Sequence, residues 1–211
     1  MADRFLQVID SPVERTTAAT DLILAVIAAG LAVYVWTIGQ AHPWKAGLWA
    51  YGFGLLMVAG LLGAITHGFI IPDRLKGWLW NVLFLSLGWV VAVAVVGAVY
   101  DVWQIHTARR VLPFMVLVGL LFFGVTKLIK GTFLPYVLYQ GIGMLFALGC
   151  YIWLIVAGGL CGVGWMIAGI LLTILASVVQ ASKSISLRLI WEFDHNGVYH
   201  LIQIVGLLFL G

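Results

Sequence analysis

Charge is scarce in this sequence: 11 Lys and Arg and 8 Asp and Glu make up 9% of 211 residues, against 64% apolar ones, and the mean hydropathy is +1.12. A water-soluble domain of this size needs a charged exterior over its core, so the composition excludes one and predicts an integral membrane protein. Cysteine is almost missing. Cys150 and Cys161 are the two present, and they form neither a Cys-x-x-Cys pair nor a spaced Cys/His cluster, which excludes iron–sulfur and thiolate–zinc sites. Both fall toward the end of the chain's bundle opposite its N-terminus, where a disulfide between them is open on spacing alone. The net charge is only +3 and its basic residues sit at segment ends, so no nucleic-acid partner is expected. Between Met1 and Pro12 no cationic stretch precedes an apolar run, and that segment does not read as a cleaved signal peptide. The last apolar run contains no lysine, which argues against a retinal Schiff base. Internal repeats and low-complexity tracts are also missing.

What is present is a succession of long apolar runs. A spanning helix takes roughly 20 residues, so the length allows about seven spans with short loops and no separate soluble domain. Gly, Pro and charge break the chain into 13–38, 44–66, 75–100, 111–128, 134–156, 162–180 and 196–210. The predicted fold is therefore all-α, a single bundle of seven transmembrane helices forming one domain over 1–211. The turns at 40–43, 71–73 and 130–132 carry the breakers and polar groups expected where a helix leaves a bilayer. Alternating the loops between two sides puts Arg4, Arg15, Arg74, Lys76, Lys127, Lys130, Lys183 and Arg188 on the N-terminal side, against Lys45, Arg109 and Arg110 on the other. The positive-inside tendency then makes the N-terminus cytoplasmic and the C-terminus external.

Ser11-Pro-Val-Glu14 opens the first helix as a capping box, with a hydroxyl at the N-cap, Pro at the first helical position and Glu at the third. Glu14, Thr17 and Asp21 follow at intervals of three and four and share a face. The intramembrane polar residues gather at one end. Asp21, Thr66, His67, Asn81, Gln140, Gln180, His195, Asn196, His200 and Gln203 all fall near the N-terminal side, whereas His42 and His106 lie in opposite loops as ordinary solvated residues. An unpaired charge in a bilayer costs roughly 2.5–3.5 kcal/mol on insertion scales, so this convergence predicts a polar cavity at that end. Three histidines there could hold zinc, whose bound water becomes a hydroxide nucleophile near neutral pH, with Asp21 or Glu14 orienting the imidazoles. Two facing histidines could alternatively ligate haem, although a single cluster at one end suits that poorly.

Each residue also has a plainer use. His67 could cap the C-terminus of the second span, and Asp194, His195 and Asn196 could form the N-cap of the last. Glu14 could serve the capping box, while Trp78, Trp80, Tyr136 and Tyr139 could anchor at an interface. Glycines such as Gly60 and Gly63 could allow close helix approach. Gln140 and Gln203 could bridge helices or line the cavity.

Seven spans, Thr66-His67-Gly68 at the end of the second, and Tyr199-His200 in the seventh after another His resemble the CREST superfamily, which includes alkaline ceramidases and progestin and adipoQ receptors. The resemblance covers the architecture of the whole chain and is specific over about 25 residues; a bacterial branch, and hence a bacterial inner membrane, fits it. It implies a zinc-dependent hydrolase of a lipid amide or ester, with His67, His195 and His200 as metal ligands. Asp21, Thr66 and Asn81 are then the catalytic candidates, and Glu14, Asn196 and Gln203 support the pocket.

Three departures qualify the match. The family pattern His-x-x-x-His places Asn196, not a histidine, four residues before His200. His195 stands five before it, about 140° off the face of a regular helix, so a π-bulge eased by Gly197 or a reach from the preceding loop would be needed. Gly63 stands where the family has Ser, and Trp78 where it has Asp, with Asn81 the nearest polar substitute. Asn cannot act as a general base. The competing expectation is a non-catalytic member that uses the same pocket to bind a membrane lipid or ligand, to sense, or to transport a proton or small solute.

Overall fold

The computed structural model describes residues 7–129, 132–159, 161–182, 184–188 and 190–211. Arg4, Lys130 and Lys183 of the charge count, and the first half of the expected N-terminal segment, lie outside the described residues. Among the described residues there are six α-helices: α1 Pro12–Ile38, α2 Pro43–Gly68, α3 Asp73–Leu128, α4 Leu134–Val156, α5 Val163–Ser182 and α6 His195–Leu210. Two short antiparallel strand pairs accompany them. β1 (Gln7–Val8) pairs with β2 (Phe69–Ile70), and β3 (Leu187–Arg188) with β4 (Glu192–Phe193).

The helix ends fall within two residues of the apolar runs that predict them, with one correction. The third and fourth runs share the 56-residue α3, and the expected loop around 101–110 is helical except at Gln104. Gln104 has φ 63° and ψ 179°, and among the described residues it is the one non-glycine with positive φ. One residue in that conformation reverses the chain, so no loop of breakers is needed. The two halves of α3 then run antiparallel. Gly88 lies against Gly119 and Phe122, Trp89 Nε1 donates to the Val116 carbonyl at 3.4 Å, and the Lys127 ammonium meets Asn81 Oδ1.

Sequential helices pack side by side and α6 returns to α1, which closes the helices into a ring. The α1–α2 contact is the most extensive, and Gly60 and Gly63 leave room for α1 there: a Cβ on Gly63 would stand 2.7 Å from the Asp21 carboxyl group. Leu24, Ala28, Phe53, Leu56, Leu83 and Val91 form the largest buried cluster. The exterior is strongly apolar, with Ile142 72%, Phe114 68% and Val26 64% exposed. Five of the helices are long and apolar enough to cross a membrane, and α6 is a shorter apolar helix. Cys150 is buried and Cys161 exposed, both as free thiols, so the disulfide left open by spacing is not formed.

The start of α1 is capped as its sequence predicts, with Ser11 Oγ accepting from the Glu14 amide at 3.4 Å. The reciprocal half of the box is replaced: the Glu14 carboxylate turns to His67 on α2.

Candidate functional site

The end of the ring where α1 begins holds a cavity of about 290 Å³, walled by α1, α2, the first half of α3, α5 and α6. On α6, Asn196, Tyr199, His200 and Gln203 recur at intervals of three and four, which puts them on one helical face, and all four line this histidine pocket. Asp21, His67 and His195 join them, with Leu56, Trp80, Leu83 and Leu87 as apolar wall. The expected convergence of the first, second and last spans is therefore present in the geometry.

At its centre, the His200 ring is held between two consecutive residues of α1. Thr20 Oγ1 lies 3.0 Å from Nδ1, and Asp21 Oδ1 lies 3.2 Å from Nε2. Thr20 also reaches the Thr17 carbonyl at 2.9 Å, and its hydroxyl has a single hydrogen to give. If that hydrogen goes to Thr17, Nδ1 must donate to Thr20, and the Asp21–Nε2 contact holds one proton from either partner. If it goes to Nδ1, then Nε2–H donates to the carboxylate. Both ring nitrogens are engaged in each arrangement. Asp21 is only 6% exposed, and its Oδ2 has no hydrogen-bond partner.

His67 and His195 are held separately. His67 Nδ1 is 2.7 Å from Glu14 Oε2, and its ring meets Trp80 edge-on at 5.7 Å. Asp194 is the N-cap of α6, accepting from the amides of Asn196 and Gly197 at 3.0 Å each, while His195 Nδ1 stands 3.9 Å from its Oδ2. Asn196 donates to Asp194 Oδ2 and accepts from Gln180 Nε2 at 2.7 Å, which ties α5 to α6. His195 sits in the first turn of a helix with no π segment, so the bulge that would align it with His200 is not formed.

Three candidates are not part of the lining: Glu14 touches it only through His67, and two others fall elsewhere. Asn81 pairs with Lys127 across the hairpin of α3, and the Thr66 hydroxyl donates to the Gly63 carbonyl of its own helix at 3.1 Å. Neither lines the pocket. Gln203 does, and its Nε2 donates to Thr173 Oγ1 at 3.1 Å. The aromatic residues divide as well. Trp78 is 60% exposed, as an anchor would be, whereas Trp80 lines the pocket and Tyr136 is buried at 3% exposure. Thr20 is the residue beside the pocket that sequence reasoning passed over, whereas Gln180 was placed at this end of the bundle without a role. The signal available for Thr20 was its place beside Asp21 one turn after Thr17.

The residues do not fit zinc in this arrangement. Among the described residues no group of three or more His, Cys, Asp or Glu side chains could hold a metal ion, and His200 has no free ring nitrogen to offer. What the pocket does offer is acceptors. Asp21 Oδ2, Gln180 Oε1 and Gln203 Oε1, all on residues that line it, are buried without hydrogen-bond partners. A buried polar atom left so costs about 1–3 kcal/mol, a cost that a donor-bearing guest would remove.

A family model described as a family of unknown function (DUF6962) matches residues 16–211. No curated protein and no solved structure matches the chain.

Proposed function

Since the chain belongs to DUF6962, a family of unknown function, its activity has to be read from the pocket, and we propose that it is a seven-span membrane protein that binds an amphiphile with a donor-rich head group. The observation that carries this is the set of unpartnered acceptors on Asp21, Gln180 and Gln203 around one pocket. An ammonium or several hydroxyls would satisfy them. The wall of Leu24, Leu56, Leu83 and Leu87 suits the first carbons of an acyl chain. A volume of about 290 Å³ matches a head group rather than a whole lipid.

The seven spans in this reading are the five other helices and the two antiparallel halves of α3. The exposed apolar exterior supports insertion, and Arg15, Arg74, Lys76, Lys127 and Arg188, against Lys45, Arg109 and Arg110 at the other end, support a cytoplasmic N-terminus and an external C-terminus. A bacterial inner membrane suits both that orientation and the likeness to the CREST group. The ligand is a membrane lipid or an amphiphile drawn from it, with no nucleic acid involved.

The second reading, a ceramidase-like zinc hydrolase, is favoured by one observation: His67, His195 and His200 line the same pocket. It is opposed by the engagement of both nitrogens of His200. The test is thermal unfolding of the detergent-solubilised protein with an eight-carbon 2-amino-1,3-diol or with octanoate, alongside elemental analysis. Binding at 100 times Kd stabilises by about 2.7 kcal/mol, so the amino-diol should raise Tm by several degrees and octanoate should not. One zinc per chain, with hydrolysis of an N-acyl amino-diol, would favour the second reading instead.

A further inference from the structure

The histidine pocket is the first of three cavities in series. Leu56, Tyr199 and Gln203 line both it and a central cavity of about 70 Å³ between the helices. Trp49, Tyr151, Met166 and Leu210 in turn line both the central cavity and a third of about 940 Å³ at the opposite end of the ring. The middle is not uniformly apolar. Gln140 of α4, Thr173 of α5 and Gln203 of α6 face the central cavity, and the Oε1 atoms of both glutamines are buried with no hydrogen-bond partner. Both residues are more than nine-tenths buried.

At the far side of that cavity stands Tyr151, 2% exposed, whose hydroxyl donates to Asp101 Oδ2 at 2.9 Å. The other Asp101 oxygen accepts from Lys45 Nζ at 2.5 Å, and Asp101 and Lys45 both line the third cavity. Among the described residues, Tyr151 is thus the one side chain that touches the central cavity while hydrogen-bonded to a carboxylate of the outer one. Polar and ionisable groups inside spans are costly and mark ion and proton paths.

We propose that the three cavities form a proton path through the ring of helices, running from the histidine pocket past Gln203 and Gln140 to Tyr151 and Asp101. The inference rests on the membrane-spanning part of the reading above and goes beyond its ligand. Size sets the species carried. A water occupies roughly 10–15 Å³ of such volume, so the central cavity takes a few waters and excludes an amphiphile. The glutamine oxygens accept from those waters and orient them, and the Tyr151 hydroxyl passes a proton by donating to Asp101 while accepting from the cavity. At each transfer one O–H bond breaks as the next forms. One proton entering at one end is matched by one leaving at the other, driven by the gradient across the membrane, and no electron moves.

The experiment uses the full chain in liposomes that enclose pyranine, with a potassium gradient and valinomycin setting the potential. Resistance to alkaline carbonate extraction first establishes insertion, and amino-diol binding by the same vesicles reports the histidine pocket. The wild type should acidify or alkalinise the lumen at least fivefold faster than protein-free liposomes. Tyr151→Phe, which keeps the ring and removes the hydroxyl, and Gln140→Leu should each bring the rate below one third of wild type while amino-diol binding persists. A wild-type rate equal to that of protein-free liposomes, with insertion intact, overturns the path whatever the binding result, and so does a full rate in both variants. Loss of amino-diol binding with proton flux retained overturns the ligand reading and leaves the path standing. Should either variant fail to insert, the wild-type rate alone decides.

Discussion

Asp21 Oδ1 lies 3.2 Å from His200 Nε2, joining the first helix to the last. That contact closes the ring of helices at the level of the pocket and uses the imidazole nitrogen a metal would need. Because both side chains are nearly buried, the pair is worth more as a unit than either member alone. Buried contacts of this kind show coupling of about 0.5–3 kcal/mol. A double-mutant cycle of Asp21→Asn and His200→Gln, read by denaturation in detergent, should give a coupling in that range; additive losses would mean the two do not interact.

Gly63 on α2 leaves the space that the Asp21 carboxyl group of α1 fills. A Cβ at that position would meet the Asp21 carboxyl group at 2.7 Å. Overpacking of this sort costs about 1–3 kcal/mol, so Gly63→Ser should lower stability by that amount. In an Asp21→Ala background the same substitution should be close to neutral. An equal loss in both backgrounds would show that the space is not held by Asp21.

Asp194 satisfies two amides at the start of α6, those of Asn196 and Gly197. Replacing an N-cap acid by alanine costs about 0.5–2 kcal/mol. Asp194→Ala should therefore destabilise the chain and loosen the first turn, measured as faster amide exchange at 196–199, while Asp194→Ser should recover most of the loss. Unchanged exchange in the alanine variant would contradict the cap.

Gln104 holds φ 63° and ψ 179° at the turn of α3, a region that suits glycine and costs other residues about 1–3 kcal/mol. Gln104→Gly should be neutral or raise Tm, and Gln104→Val should lower it. A glycine variant less stable than the valine variant would place the bend elsewhere.

The helices were legible because composition and breakers alone mark apolar runs, and the end at which polar residues gather follows from counting spans. Asp21, His67, His195, Asn196, His200 and Gln203 could thus be assigned to one pocket. What the sequence did not carry was the bend. The reversal at Gln104 uses no Gly or Pro, so the charged stretch around it reads as a loop. Asn81 was misplaced for a related reason: proximity along the third span says nothing of Lys127, which reaches it only when α3 folds back. Tyr136 looked like an interfacial anchor because it begins a helix, yet α4 turns that face inward. Thr66 is polar and beside a histidine, but its hydroxyl is spent on its own helix.

The central claim is that the pocket receives a hydrogen-bond donor and not a metal. Titration calorimetry of the eight-carbon 2-amino-1,3-diol into the detergent-solubilised protein tests it most directly. Saturable binding of one molecule per chain is predicted, at least tenfold weaker in Asp21→Asn and in Gln203→Leu. No saturable heat, or equal affinity for octanoate, would contradict it.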